Sequence, residues 1–192
     1  MFSERQQQII ETAIKIIAVN GVQNLTTKKL AQEMGLTEPA LYRHFDSKLH
    51  IMEAIIKYFQ NQMQPALQKL QGNSNSIKKI ENFIFEHLNI INQNPHYARV
   101  IFSEANFQFD ESLLIKMKSM MNQSRKMLED IIQDGQDTNE LRSDITSLSI
   151  SRLVIGSMRL LITQWSMSGM IFNLEAEGRQ LCEDIKKIIS VG

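Results

Sequence analysis

The sequence predicts an all-α protein. Three observations carry that expectation. Glycine and proline are scarce, 8 and 3 among 192 residues. Long side chains that lose little freedom in a helix predominate, with 11 methionines among them. Apolar residues recur at three- and four-residue spacing along most of the chain. The length is enough for a substantial hydrophobic core. Basic and acidic residues balance, 21 against 21, so attachment to nucleic acid or membrane by bulk charge is excluded. Any nucleic-acid contact must come from local placement. The single cysteine, Cys182, excludes an intrachain disulfide framework and makes a cysteine-based metal site unexpected. A buried free thiol fits a cytoplasmic protein. The N-terminus lacks the basic-then-apolar pattern of a secretion signal, and no apolar run is long enough to span a membrane.

Residues 4–19 read as an amphipathic helix with Ile9, Ala13, Ile16 and Ile17 on one face. Gly21, in the stretch Asn20 to Val22, ends it and can take the left-handed terminal conformation. Thr26 is placed to cap a short helix that stops at Gly35. Thr37 caps the next. Pro39 falls in that helix's first turn, where a missing N–H loses no partner, so the proline opens the helix rather than breaking it. It runs to about His44. Asp46 or Ser47 then caps a long helix from Lys48 to about Leu70, with Ile51, Ile55, Tyr58, Phe59, Met63 and Leu67 inward. The stretch QGNSNS, residues 71–76, reads as a linker. A helix follows from Ile77 to about Gln93, with Ile80, Phe83, Ile84, His87, Leu88 and Ile91 inward. Beyond NQNP comes a shorter apolar helix over Tyr97 to Phe107, and then a long one capped by Asp110 and running to about Asp134. The stretch DGQDTNELRSD reads as a polar loop. Two more helices, roughly Ile145 to Ser168 and Leu174 to Val191, bring the expected count to about nine.

Chemistry concentrates in residues 27–45. Ala31, Gly35 and Leu41 fit a helix-turn-helix: a small residue where the helices approach, a glycine where the turn needs positive φ, and an apolar residue beneath. Leu30, Met34, Leu36 and Phe45 fill the same space. The outer side of residues 37–44 is then free for a major groove, which admits a helix. Phosphate contacts can come from helix N-termini, hydroxyls and a few cations. Thr26, Thr27 and Thr37 stand at N-termini, Lys28, Lys29 and Lys48 flank them, and Tyr42 and His44 can donate. Arg43 can read guanine through a bidentate contact, and Ala40 can meet a thymine methyl. Glu38 can accept from cytosine N4, or point at a lysine or arginine. Taken singly, Tyr42 also reads as a half-buried surface aromatic, His44 as structural, and Lys28 and Lys29 as a solvated face.

The ordered combination is a helix ending in N-G, then T-T, then L-A-x-E-M-G-L, then L-Y-R-H-F-x-S-K. Over residues 5–52 it resembles the N-terminal domain of TetR-family transcriptional repressors. Glu38 and Pro39 stand where that family usually has a small or polar residue, and Leu49 where an acidic one usually follows the lysine. These departures bear on base preference, not on fold. The resemblance implies a helix-turn-helix DNA-binding domain over residues 1–47 and a helical effector-binding and dimerisation domain over 48–192. It also implies that Thr27, Lys28, Thr37, Tyr42, His44 and Lys48 grip the sugar-phosphate backbone, while Glu38, Pro39, Ala40 and Arg43 face base edges. The expected partner is double-stranded operator DNA.

A recognition helix of about two turns makes a small interface, so two copies are expected to bind two half-sites. Residues 145–168 supply apolar surface for pairing. Ile150, Leu153, Val154, Met158, Leu161 and Trp165 form one stripe, Ile155, Leu160 and Ile162 widen it, and Gly156 and Ser157 permit close approach. The last helix adds Leu181, Ile185, Ile188 and Ile189. Two such helices from each copy would make a four-helix bundle. The alternative is an ordinary core helix. The resemblance, in which the last two helices usually form the homodimer interface, favours pairing through Ile150, Leu153, Val154, Gly156, Ser157, Leu161, Leu181, Ile185 and Ile188.

The middle of the chain is rich in large or soft side chains. Phe83, His87, Phe102, Met117, Met120, Met121, Gln164 and Trp165 are the expected lining of a pocket for a small, largely apolar effector, with His87 and Gln164 as polar anchors and Tyr97 and Met127 nearby. The plainer alternative is that they pack a core. A ligand there would tilt the helix beginning near Lys48 and so change the separation of paired recognition helices. The four histidines are scattered, and neither metal-ligand spacing nor a phosphate-cradling glycine loop is found. No catalytic residue, metal or cofactor is therefore expected, and no membrane partner. A constitutive DNA-binding protein, its body a dimerisation or protein-interaction module, is the rival reading.

Overall fold

The computed structural model describes residues 2–70, 72 and 74–191. They form nine α-helices: α1 (Glu4–Asn20), α2 (Thr27–Glu33), α3 (Glu38–Tyr42), α4 (Lys48–Lys69), α5 (Ser76–Gln93), α6 (His96–Ile101), α7 (Glu111–Asp137), α8 (Ser147–Met167) and α9 (Leu174–Ile189). The fold is all-α, as its composition predicts. Gln71 and Asn73 of the expected linker lie outside the described residues.

Local chemistry explains most of the boundaries. Ser3 and Gln6 form a reciprocal capping box at the start of α1. The hydroxyls of Thr26, Thr37 and Thr146 accept from the N–H groups of Lys29, Ala40 and Ser149, and Asn75 and Asn173 cap α5 and α9 in the same way. At α4 the cap is Ser47, which accepts from His50 N–H at 3.1 Å, while Asp46 pairs with the His50 ring.

The chain divides into two compact units, Met1–Asn61 with Pro95–Lys118, and Gln62–Asn94 with Ser119–Gly192. This division differs from a cut at residue 47. In the first unit α6 packs on α1, and Ile9, Ile10, Leu30, Leu41, Ile51, Ile55, Val100 and Phe107 are fully buried. Tyr58 donates to the Glu11 carboxylate, Arg99 reaches the Ala18 carbonyl, and Lys116 pairs with Glu53. In the second unit α5, α8 and α9 pack together. Gly178 lets α9 approach α5 closely, since a Cβ there would lie 2.2 Å from Leu88 Cδ1.

Three local expectations are corrected. The apolar helix over residues 97–107 stops at Ile101, because the Asn106 side-chain amide donates to the Arg99 and Val100 carbonyls and turns the chain. The polar stretch from Asp134 is partly helical, with α7 continuing to Asp137. There Gln136 is buried and donates to the Arg142 and Ile145 carbonyls, and Leu141 is buried and bridged to Ser190. Gly21 has positive φ but an extended ψ (84° and 157°), so it ends α1 without left-handed helical geometry. Pro65 stands inside α4 on its exposed side and has no N–H to donate to the Asn61 carbonyl. No helix of the described residues is long and apolar enough to cross a membrane.

Candidate nucleic-acid interface

The turn between α2 and α3 is built by Gly35, at φ 63°, and by Leu36, whose N–H donates to the Ala31 carbonyl at 2.8 Å. No atom lies within 4 Å of where a Gly35 Cβ would be. The glycine is therefore needed for its backbone angle and not for space. Leu30, Ala31, Leu41 and Phe45 are buried beneath, while Met34 and Leu36 are half-buried. Lys28, Thr37, Pro39, Tyr42 and Arg43 are exposed, and Thr27, Glu38, Ala40, His44 and Lys48 are half-buried.

Hydrogen bonds join several of these residues. Thr27 Oγ1 donates to Glu38 Oε2 at 2.8 Å, and the Tyr42 hydroxyl donates to Thr27 Oγ1 at 3.5 Å. The partner of Glu38 is thus a hydroxyl on the neighbouring helix, eleven residues away, not a lysine or arginine. Residue spacing carries no signal for this pair; only docking of α2 against α3 creates it. Lys48 donates to the Val22 carbonyl at 2.9 Å and lies over the Phe109 ring, 5.4 Å from its centroid. Partial burial pushes its ammonium below the ordinary lysine range. It braces the turn after α1 and keeps two further N–H donors. Lys29 donates to Asn20 Oδ1. Lys28 and Arg43 form no ion pair among the described residues, which leaves them as open cations on this surface.

A profile described as bacterial regulatory proteins, tetR family, matches residues 9–55, and one described as YsiA-like protein, C-terminal region, matches residues 53–190. The chain belongs to the TetR family. It is therefore a DNA-binding transcriptional regulator, with α2–α3 as the helix-turn-helix of that family. The nucleoid occlusion factor SlmA of Marinomonas sp. (strain MWYL1) is 26% identical to it over 141 residues, covering 73% of this chain and 72% of that protein. Among solved structures, FadR from Bacillus subtilis in complex with stearoyl-CoA superimposes with a TM-score of 0.83 at 20% identity, covering 93% of this chain and 96% of that one. AibR in complex with isovaleryl coenzyme A and operator DNA superimposes with a TM-score of 0.78 at 16% identity, covering 97% and 98%. At such identities the structural likeness speaks for the fold alone.

In this TetR-family chain the residues expected to line an effector pocket divide. Phe102, half-buried, and Met117, buried, belong to the first unit. Phe83, His87, Met120 and Trp165 are buried in the second. The Trp165 indole N–H donates to the Phe172 carbonyl at 3.1 Å. Gln164 and Met121 face solvent, so Gln164 is not an interior anchor. A small cavity along α5 and α9, lined by Ile77, Ile80, Ile84, Cys182, Ile185 and Ile189, involves none of the expected residues.

The expected pairing surface divides as well. Ile150, Val154 and Ile185 are buried within the second unit and serve its own core. Leu161, Ser157 and Leu181 are half-buried, and Gly156 is open. The free apolar surface is Leu153, Leu160 (57% exposed), Met167 (82%), Ile171 (83%) and Ile188. Leu153, Gly156, Leu160 and Met167 are spaced by three, four and seven residues, the spacing of a seam between helices.

Proposed function

We propose that this protein is a homodimeric transcriptional repressor that leaves its operator on binding a small ligand with an apolar acyl chain. The observation that carries the DNA half is the exposed row Lys28, Thr37, Pro39, Tyr42 and Arg43 above a buried Leu30–Leu41 floor. Thr27, Lys28, Thr37, Tyr42, His44 and Lys48 hold the backbone, while Glu38, Pro39, Ala40 and Arg43 meet base edges. Residues 1–47 carry this contact, joined by Lys48 at the start of α4, and residues 48–192 carry effector binding and pairing. The exposed stripe Leu153, Gly156, Leu160, Met167 and Ile188 supports pairing, because large apolar faces on soluble chains usually mark contacts. The acyl class draws on the coenzyme A thioesters bound by FadR and AibR.

The test is a duplex enriched by the protein from a random-sequence pool and titrated with coenzyme A and saturated acyl-CoAs of increasing chain length. The reading expects release by some acyl-CoAs and none by coenzyme A itself. A second reading, constitutive DNA binding with no small-molecule effector, draws on the likeness to SlmA. It is the one to adopt if no acyl chain length changes DNA affinity.

A further inference from the structure

Glu38 is an acid on a surface that has to approach phosphates. Its carboxylate is already occupied, because Oε2 takes the hydroxyl hydrogen of Thr27 at 2.8 Å. A threonine hydroxyl has a single hydrogen. With that hydrogen on Glu38, Thr27 presents only lone pairs outward, and a phosphate oxygen, itself an acceptor, gains nothing from them. The Tyr42 hydroxyl faces Thr27 Oγ1 at 3.5 Å, a long contact. Two of the three hydroxyls assigned to the backbone grip, those of Thr27 and Tyr42, therefore face inward in the free protein.

Turning the Thr27 hydroxyl outward strips Glu38 of its donor beside a row of negative phosphates, and a charged acceptor left unmet is costly. The major groove offers groups that can take the vacated place: the amino hydrogens of cytosine N4 and adenine N6. We propose that Glu38 couples backbone grip to base identity, so that Thr27, and with it Tyr42, turns to phosphate only where a base amino group replaces the Thr27 hydroxyl on the carboxylate. This rests on the DNA-binding reading above. On DNA without that amino group the Thr27 and Tyr42 hydroxyls stay inward, and binding falls back on Lys28, Thr37, His44, Lys48 and backbone N–H groups. Glu38 is then a specificity-determining residue that acts chiefly by withholding affinity from wrong sequences.

The experiment is fluorescence anisotropy at fixed salt, with one duplex enriched by the wild-type protein and one scrambled duplex of equal length. Glu38→Gln removes the charge at constant size, and its amide can donate to Thr27, freeing the threonine hydrogen. Glu38→Ala removes the acceptor altogether. Both are expected to bind the scrambled duplex about tenfold tighter than the wild type, and Glu38→Ala to lose discrimination at one base pair of the enriched duplex. In a Thr27→Val background, where there is no hydroxyl to free, the gain from Glu38→Gln is expected to shrink severalfold. An equal gain in both backgrounds would mean that Glu38 only repels phosphates, and overturns the coupling. Wild-type affinity of Glu38→Gln for the scrambled duplex overturns it too. A wild-type protein that binds neither duplex defeats the DNA-binding reading itself, and that is seen before any variant is made. Glu38→Gln, with unchanged thermal unfolding as control, carries the test should Glu38→Ala misfold.

Discussion

His87 Nδ1 donates to the Phe83 carbonyl at 2.7 Å, one turn earlier in α5. A carbonyl only accepts, so Nδ1 holds the proton and Nε2 carries a lone pair. The rings of the two residues lie 4.3 Å apart. Burial drives the His87 pKa from 6.5 down to about 4, against the Phe83 carbonyl and nearby Glu86, which favour the cation.

This neutral imidazole makes stability depend on pH. The unfolded chain takes up a proton as pH falls through 6.5, whereas the folded chain refuses it until about 4. Stability is therefore undiminished above 6.5, declines between 6.5 and 4, and levels off below. Between pH 7 and pH 5 the loss is expected to be about 2 kcal/mol. Urea titrations of the wild type and His87→Leu across that range should show the slope in the first and a shallower one in the second.

Two glycines should resist enlargement. A Cβ on Gly135 would lie 2.7 Å from Ser76 Cβ, and one on Gly178 would meet Leu88. Alanine normally favours a helix over glycine by about 1 kcal/mol. Here overpacking should win, leaving each variant less stable by about 1–2 kcal/mol net. A lower urea midpoint at unchanged slope is the expected result.

Gly156 should behave the other way. It is open, with nothing near an added Cβ, so Gly156→Ala should strengthen the fold of each chain by up to about 1 kcal/mol. If the exposed stripe of α8 is the pairing seam, the same change should weaken self-association, because the added methyl separates the helices. Leu160→Glu, at an exposed position, should abolish pairing and leave helicity intact. Sedimentation velocity and circular dichroism distinguish these effects.

On DNA, Tyr42→Ala should lower operator affinity about tenfold by removing a hydrogen bond to charged phosphate, with pairing unchanged in sedimentation. Lys28→Ala should weaken operator and scrambled duplex alike. It should also make the dependence of log affinity on log salt shallower by about 1.

Cys182 is buried, and desolvation, with Glu81 and Glu183 adding to it, pushes its thiol up to about 12. The thiolate is the reactive species. Iodoacetamide at neutral pH should therefore leave the folded protein unmodified and label it fully in denaturant, as mass spectrometry would record.

The helices and their caps were legible because capping is local: Thr26, Thr37 and Gly35 each act on neighbours within a few residues. What failed to show was decided by contacts between elements. The stretch from Asp134 looks polar, yet Gln136 and Leu141 are buried, because the Ile145 carbonyl takes the Gln136 side-chain amide and the Ser190 bridge pairs the backbone at Leu141. Helix α8 is apolar nearly all round. Periodicity alone cannot say that Ile150 and Val154 fill the chain's own core while Leu153 and Leu160 are left free. The same holds for the recognition surface: residue types placed Tyr42 and Arg43 outward, but only the docking of α2 on α3 puts Thr27 on the carboxylate of Glu38.

The bridge between Leu141 and Ser190 ties the end of α9 to the connection after α7. The Arg142 N–H donates to the Ile189 carbonyl at 2.9 Å, and the Arg142 guanidinium reaches the Ile188 carbonyl. The Arg142 amide can trade its hydrogen for deuterium only when the last turn of α9 lifts away. Its exchange rate is thus a single-site clock for detachment of the C-terminal helix, and it should keep time with the last amides of α9 rather than with those of α7.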